Sequence, residues 1–344
     1  MKIAINGFGR IGRPVFRRIL ENHPDLEVVA INDLTDPRTL AYLLQYDSVY
    51  GRYEKKVSAV SKITRIADID SPGKLIVDNQ EYLILAEKDP SRLPWGELKI
   101  DVVLECTGFF TLYEGARKHL EAGADKVIIS APTKSPEIKT FVLGGNEKQY
   151  KSKRDKIISM ASCTTNALVP IAKLIHRYLK IERALMTTIH SYTSTQRLVD
   201  GPAKDWRRAR AAGLNLVLTT TGAAIAATKV LPDLENKIDG LAVRIPTPTV
   251  SLIDLTASVA KATSVDEVNE FFLKASQNEL KGILDVSQEP LVSTDYRGNP
   301  HSSIVDLLST RVENKRLVKV LAWYDNEWGY ACRLADMVEF IGQK

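Results

Sequence analysis

The run Lys2-Ile3-Ala4-Ile5-Asn6, followed at once by Gly7-Phe8-Gly9-Arg10-Ile11-Gly12, decides the fold of the N-terminal half. The first five residues predict a strand, and apolar spacing through Val15, Ile19 and Leu20 predicts a helix after the glycines. A glycine turn between strand and helix is the setting in which Gly-x-Gly-x-x-Gly binds a dinucleotide. Gly7, Gly9 and Gly12 permit a tight turn and a close approach of backbone to pyrophosphate, which then rests on the helix N-terminus. A second strand, Glu27 to Asn32, ends in Asp33, a carboxylate suited to both ribose hydroxyls and repulsive to a 2′-phosphate. The expected cofactor is therefore NAD.

Working outward, strand and helix patterns alternate to about residue 160, which predicts an α/β fold with a doubly wound, mostly parallel sheet of Rossmann type. Further strands are expected from Lys99 to Glu105 and from Asp125 to Ser130, with a helix from Tyr113 to Ala122 between them. Beyond Cys163 the character changes. Ile189 to Arg197, Gly240 to Arg244, Ser251 to Ala260 and Leu317 to Tyr324 read as longer strands facing helices such as Val265 to Leu280. That is an α+β pattern with a largely antiparallel sheet. The expected division is a cofactor domain over 1–162, completed by a C-terminal helix within 330–344, and a catalytic domain over 163–329.

Cys163 lies between the strand pattern Lys156 to Met160 and a helix expected from Asn166 to Leu179. A helix N-terminus favours thiolate over thiol and lowers a cysteine pKa from about 8.5 into a range of roughly 3.5 to 7.5. A buried structural cysteine is the plain alternative, but Ser162, Thr164, Thr165 and Asn166 make polar surroundings for an inert plug. Of the five histidines, His190 ends the β-branched run Leu185 to Ile189, and a strand would deliver it to a sheet edge as a partner for the thiol. His23, His119, His176 and His301 read as solvated surface or helix-face residues.

A thiol, a base and a dinucleotide site together specify addition of sulfur to an aldehyde and transfer of hydride to nicotinamide. The strings Asn6 to Arg13, Asn32 to Asp36, Ala161 to Asn166, His190 to Thr193, Thr219 to Ala224 and Trp323 to Tyr330 resemble, in order, the phosphorylating glyceraldehyde-3-phosphate dehydrogenase family. The resemblance runs from Lys2 to the C-terminus. It implies Cys163 as nucleophile and His190 as base, with the Cys163 amide as an oxyanion donor. It implies Gly7, Gly9, Arg10, Ile11, Gly12, Asp33, Lys88, Thr107, Ser130, Asn326 and Tyr330 on the cofactor side. Thr193, Thr195 and Arg244 would hold the phosphate of glyceraldehyde 3-phosphate. Ser162, Thr164, Arg208, Thr221 and Gly222 would hold inorganic phosphate, with Arg207 and Arg210 as neighbouring candidates for the arginine. The resemblance also implies a homotetramer whose contacts include the unpatterned stretch 192–215.

The chain departs from the family at three positions. Ala167 stands where a second cysteine is common, so oxidation of Cys163 is expected to give sulfenic and higher acids or mixed disulfides. Met160 replaces an asparagine, and Lys88 replaces an arginine near the adenine. The segment Asn299 to Asp306 also resembles erythrose-4-phosphate dehydrogenases, against which the intact string Thr219 to Gly222 counts. A non-catalytic NAD-binding or redox-sensing protein is the alternative from another class.

Composition agrees. At 344 residues, 44% hydrophobic and 26% charged, the chain can bury a large core. Three cysteines without framework spacing suggest a reducing compartment. No apolar run is long enough to span a membrane, and Met1 leads straight into the first strand, so no signal peptide is expected and the cytoplasm is the default. A net charge of +5 is too small to demand nucleic acid, and the basic residues between 204 and 210 suit anionic substrates. No metal site is expected.

Overall fold

All four residues of the strand Val102–Glu105 are buried, as in a parallel strand covered on both faces. It belongs to a nine-stranded sheet in a computed structural model that describes residues 1–66 and 69–344. The chain divides into two compact units. The first comprises Met1–Thr140, Tyr150–Met160 and Ala331–Lys344; the second comprises Phe141–Gln149 and Ala161–Tyr330. Residues 141–149, expected in the cofactor domain, thus fall in the second unit, where Val142 joins the core around the Cys163–Leu179 helix.

In the first unit, the strands lie side by side in the order Lys139–Thr140, Ile157–Ser159, Lys126–Ile129, Val102–Glu105, Lys2–Asn6, Glu27–Asn32, Gln80–Leu85, Gly73–Val77 and Val57–Val60. The first seven pair in parallel, and the last two are added antiparallel. The chain leaves Lys2–Asn6 toward Glu27–Asn32 and later returns on its other side to Val102–Glu105. That reversal opens a crevice at the carboxyl ends of the strands, the usual ligand site of such sheets. The Val102 strand starts later than expected because Lys99 caps the short helix Trp95–Leu98 in a left-handed conformation, φ 55°. A residue turned that way cannot open a strand.

The second unit holds a mixed, mostly antiparallel sheet ordered Val217–Thr220, Ile238–Ile245, Ile181–Ser191, Ser251–Val259, Leu317–Tyr324, Ser303–Asp306 and Leu284–Ser287. The strand that bears His190 is Ile181–Ser191, which begins before the expected run Leu185 to Ile189 and stops short of the expected Arg197. Beyond Ser191 the chain turns, with the amide of Gln196 donating to the carbonyl of Thr193 at 2.9 Å, so the polar run after His190 is loop. One sheet face is covered by the helices Cys163–Leu179, Ala223–Val230 and Val265–Gln277, which share a core with Met186, Ile253, Leu255 and Val320. The C-terminal helix, Trp328–Gly342, begins before the expected Tyr330. Its last part lies in the first unit, where Asp336 and Glu339 grip His23.

Candidate active site

Ser162, itself in an extended conformation, caps the Cys163–Leu179 helix. Its Oγ accepts the amide of Thr165 at 3.1 Å, and its carbonyl accepts the amide of Asn166 at 3.0 Å. Because the cap is Ser162, Cys163 is itself the first helical residue, upstream of the expected start at Asn166. The preceding residue, Ala161, has a φ of 52°, a conformation that costs a residue bearing Cβ about 1 kcal/mol. The hydroxyl of Tyr330 donates to the Ala161 carbonyl at 3.0 Å and holds the bend that presents the thiol.

The Ile181–Ser191 strand carries His190 to within 3.5 Å of Cys163, Nε2 to Sγ. Nδ1 lies 2.7 Å from the carbonyl of Ser191 and 2.8 Å from Nη1 of Arg244, which also donates to that carbonyl at 2.9 Å. One ring nitrogen donates to the first or accepts from the second. With its proton on Nδ1, the imidazole bonds the carbonyl and turns a lone pair toward the thiol, the tautomer of a general base. The Tyr324 ring stands edge-on to His190 at 6.0 Å. The Tyr324 hydroxyl is shared with Thr164 and Thr188 at 2.9 and 2.8 Å, which ties the helix start to the strand.

Burial and the adjacent Arg244 cation push the His190 pKa down to about 3, with Arg208 adding to the effect and the bond to Ser191 opposing it. Burial likewise pushes the Cys163 thiol up, against the pull of Arg244 and of hydrogen bonds at Thr164. The sequence expectation of a depressed thiol is not what this site shows, because desolvation of the sulfur outweighs the helix start and the guanidinium. The resting pair is a thiol facing a neutral imidazole.

Two arginines face this pair. Arg208 donates from Nε to the Thr219 hydroxyl at 3.0 Å, and its charge reaches both His190 and Arg244. Arg210 points to Asp200 at 2.7 Å and Arg207 is exposed, which leaves Arg208 as the arginine of this cluster at the site. Thr193 and Thr195 bring their hydroxyls to 2.8 Å of one another. Thr221 accepts the Ala223 amide at 3.2 Å, and Gly222 caps the helix Ala223–Val230. Thr164 is buried, with its hydroxyl engaged by Tyr324 and 4.0 Å from Sγ, so it supports the thiol more than it opens to a ligand.

The first unit holds a cleft of about 550 Å³ lined by Gly7, Gly9, Asp33, Lys88 and Thr107. Gly7 has a φ of 93°, and a Cβ there would meet the Thr107 nitrogen at 2.7 Å; at Gly12 it would meet the Gly7 carbonyl oxygen at 2.1 Å. At Gly9 it would project into open space, room that a pyrophosphate can use. The two Asp33 oxygens each accept one amide, from Phe8 at 2.8 Å and Thr35 at 3.0 Å, and keep lone pairs for hydroxyl donors. These features fit NAD. Arg10 is held by Asp47 at 2.5 Å, and Ile11 precedes the helix Gly12–Asn22. Ser130 bonds the Cys106 thiol and does not line the cleft. In the second unit, Asn326 Oδ1 accepts from Ser251 Oγ at 2.9 Å. Tyr330, expected on the cofactor side, has its hydroxyl committed to Ala161.

Sequence reading missed Leu34 and Phe109, which line the cleft with exposed apolar faces, and Asp47, which holds Arg10. An apolar residue directly after a strand-end carboxylate was the available signal for Leu34. His119 and His23, read as solvated, are buried; both bond carboxylates, for which no local pattern exists.

Residues 1–113 match the family model for the NAD binding domain of glyceraldehyde 3-phosphate dehydrogenase, and residues 162–326 match its C-terminal domain. The chain is 52% identical over 344 residues to the glyceraldehyde-3-phosphate dehydrogenase of Geobacillus stearothermophilus, covering 100% of this chain and 99% of that protein. It is 50% identical to glyceraldehyde-3-phosphate dehydrogenase 1 of Bacillus subtilis with the same coverage. Against glyceraldehyde-3-phosphate dehydrogenase 1 of Streptomyces avermitilis it is 48% identical over 342 residues, 99% of this chain and 98% of that one.

Proposed function

Because the chain belongs to the glyceraldehyde-3-phosphate dehydrogenase family, we propose that it oxidises glyceraldehyde 3-phosphate to 1,3-bisphosphoglycerate with NAD, and that inorganic phosphate is the second substrate. The observation that carries the assignment of roles is the 3.5 Å approach of His190 Nε2 to Cys163 Sγ at a helix start.

Neutral His190 takes the thiol proton as Sγ bonds the aldehyde carbon and returns it to the carbonyl oxygen, which becomes the hydroxyl of a hemithioacetal. The Cys163 amide donates to that oxygen while it carries charge. His190 then removes the hydroxyl proton, the carbonyl re-forms, and the carbon's hydrogen departs with its electron pair, leaving a thioester on Cys163. Bound NAD supplies the acceptor for that hydride. An oxygen of inorganic phosphate attacks the thioester carbon, the carbon–sulfur bond breaks, and Cys163 leaves as thiolate, returning the acyl group as an acyl phosphate. Arg244 with Thr193 and Thr195 is assigned to the substrate's phosphate. Arg208 with Ser162, Thr221 and Gly222 is assigned to the attacking phosphate, guanidinium forks and hydroxyls being suited to oxyanions, whereas Thr164, its hydroxyl engaged by Tyr324, supports the thiol.

A homotetramer is part of the proposal. The sheet face of the second unit not covered by helices exposes Leu185, Leu218 and Leu241, and the loop after it exposes Leu198, Trp206 and Leu214. Apolar surface of that extent on a soluble chain marks a protein contact. Cys106, Cys163 and Cys332 form no disulfide with one another, which suits a reducing cytoplasm.

The decisive assay is NADH formation from glyceraldehyde 3-phosphate with and without inorganic phosphate, repeated with NADP and with erythrose 4-phosphate. Phosphate-dependent turnover with NAD on the three-carbon aldehyde is expected. Phosphate-independent oxidation of the four-carbon sugar would move the chain to the alternative substrate.

A further inference from the structure

Under the cofactor cleft, Glu105 ends its strand with a carboxylate that is 1% exposed. Asn6 Nδ2 donates to it at 2.5 Å, the Thr107 amide at 2.8 Å and His119 Nε2 at 3.1 Å, with the Thr107 hydroxyl as a fourth donor. His119, fully buried, accepts at Nδ1 from the indole N–H of Trp95 at 3.0 Å. Since Nδ1 accepts, a neutral His119 carries its proton on Nε2 and donates to Glu105; the indole sets the tautomer. The network continues from Asn6 Oδ1, which accepts from Asn32 at 2.7 Å, and Asn32 Oδ1 accepts the amide of Glu87 at 2.9 Å.

Four segments that line the cleft are thereby tied to one carboxylate: Asn6 precedes the glycine turn, Asn32 precedes Asp33, Glu87 precedes Lys88, and Thr107 packs its backbone against Gly7. A buried charge is a poor stabiliser compared with apolar packing of the same volume, so its presence calls for a role in specifying geometry. We propose that the Trp95–His119–Glu105 relay is a positioning device for NAD: it locks the four cofactor loops in register and acts on affinity rather than on the chemical step. None of the three lines the cleft, so none is a catalytic residue.

The inference rests on NAD being the cofactor. It is tested on the full-length enzyme by NAD titration calorimetry, kcat at saturating NAD, and thermal unfolding, for the wild type and for His119→Leu, His119→Gln, Glu105→Gln and Trp95→Phe. Glutamine at 119 can accept from Trp95 and donate to residue 105, whereas leucine can do neither. Expected is a loss of NAD affinity of about 10-fold or more for His119→Leu and Glu105→Gln, with kcat within about threefold of wild type and substantial rescue in His119→Gln. Trp95→Phe, which removes only the indole donor, should weaken NAD by a few-fold. Equal affinity loss in His119→Leu and His119→Gln would leave only packing and overturn the proposal. Should His119→Leu fail to fold, unchanged affinity in both Glu105→Gln and Trp95→Phe would overturn it as well. Failure of the wild type itself to bind NAD would refute the cofactor reading instead.

Discussion

Burial dominates the protonation of Cys163 and His190, and Arg244 is the charge that modulates it. Its guanidinium, 2.8 Å from His190 Nδ1, adds to burial in holding the imidazole neutral, and the same charge draws the Cys163 thiol down against burial. An anion that neutralises Arg244 relieves the first effect. The His190 pKa, followed by NMR, should therefore rise from its value of about 3 when phosphate or sulfate is added, and a pKa that stays or falls would show that Arg244 does not set it. For catalysis the neutral base is what matters. His190→Asn should lower kcat by about 10²- to 10⁴-fold while NAD affinity stays near wild type; near-normal turnover would reject the assigned role. Ala167, buried one helical turn beyond the nucleophile, offers no thiol to an oxidised Cys163.

At the scale of elements, the helix carrying Cys163 shows how a cap places a reactive group, since Ser162 rather than Asn166 begins the turn. The C-terminal helix shows how a remote segment is fastened. His23, 7% exposed, meets Asp336 at 3.3 Å and Glu339 at 2.8 Å, and those carboxylates hold its pKa above the ordinary value, the Asp336 bond most strongly, against burial. Arg333 pairs with the other oxygen of Asp336 at 2.6 Å, and Arg18 adds its charge nearby. A group whose pKa is raised on folding contributes stability fully below its unfolded pKa of about 6.5 and loses it as pH climbs through the folded value. The thermal midpoint should accordingly decline as pH rises above about 6.5, and His23→Gln should flatten that decline; an unchanged slope in the variant would assign it to other groups.

For the whole molecule, the exposed apolar sheet face of the second unit is the feature a monomer does not explain. Leu241, opposite Thr187 in a parallel pair, lies on that face. Leu241→Glu is expected to shift the mass measured by light scattering from tetramer to smaller species, whereas an unaltered tetramer would place the subunit contact elsewhere. The same scale shows why some elements were legible and others were not. The glycine turn and Asp33 could be read from neighbours in sequence, because strand, turn and helix obey local rules. The Ile181–Ser191 strand is legible in the sequence only from Leu185, because Glu182 and Arg183 mask its start, and it reads on to Arg197 because the polar run after His190 mimics alternation. Lys99 was read into a strand because a left-handed cap leaves no trace in periodicity.

Sequence alone determined the α/β class, the dinucleotide turn and the identity of the candidate thiol and base, since each depends on a contiguous string or its resemblance to a family. Only tertiary structure decided which charges act on that thiol and base, which arginine of the 207–210 cluster reaches them, and that His119 and Glu105 sit beneath the cofactor cleft. The reason is physical. Desolvation and Coulomb interactions depend on distances between residues far apart in the chain, such as the 2.8 Å between Arg244 and His190, and no local pattern encodes them.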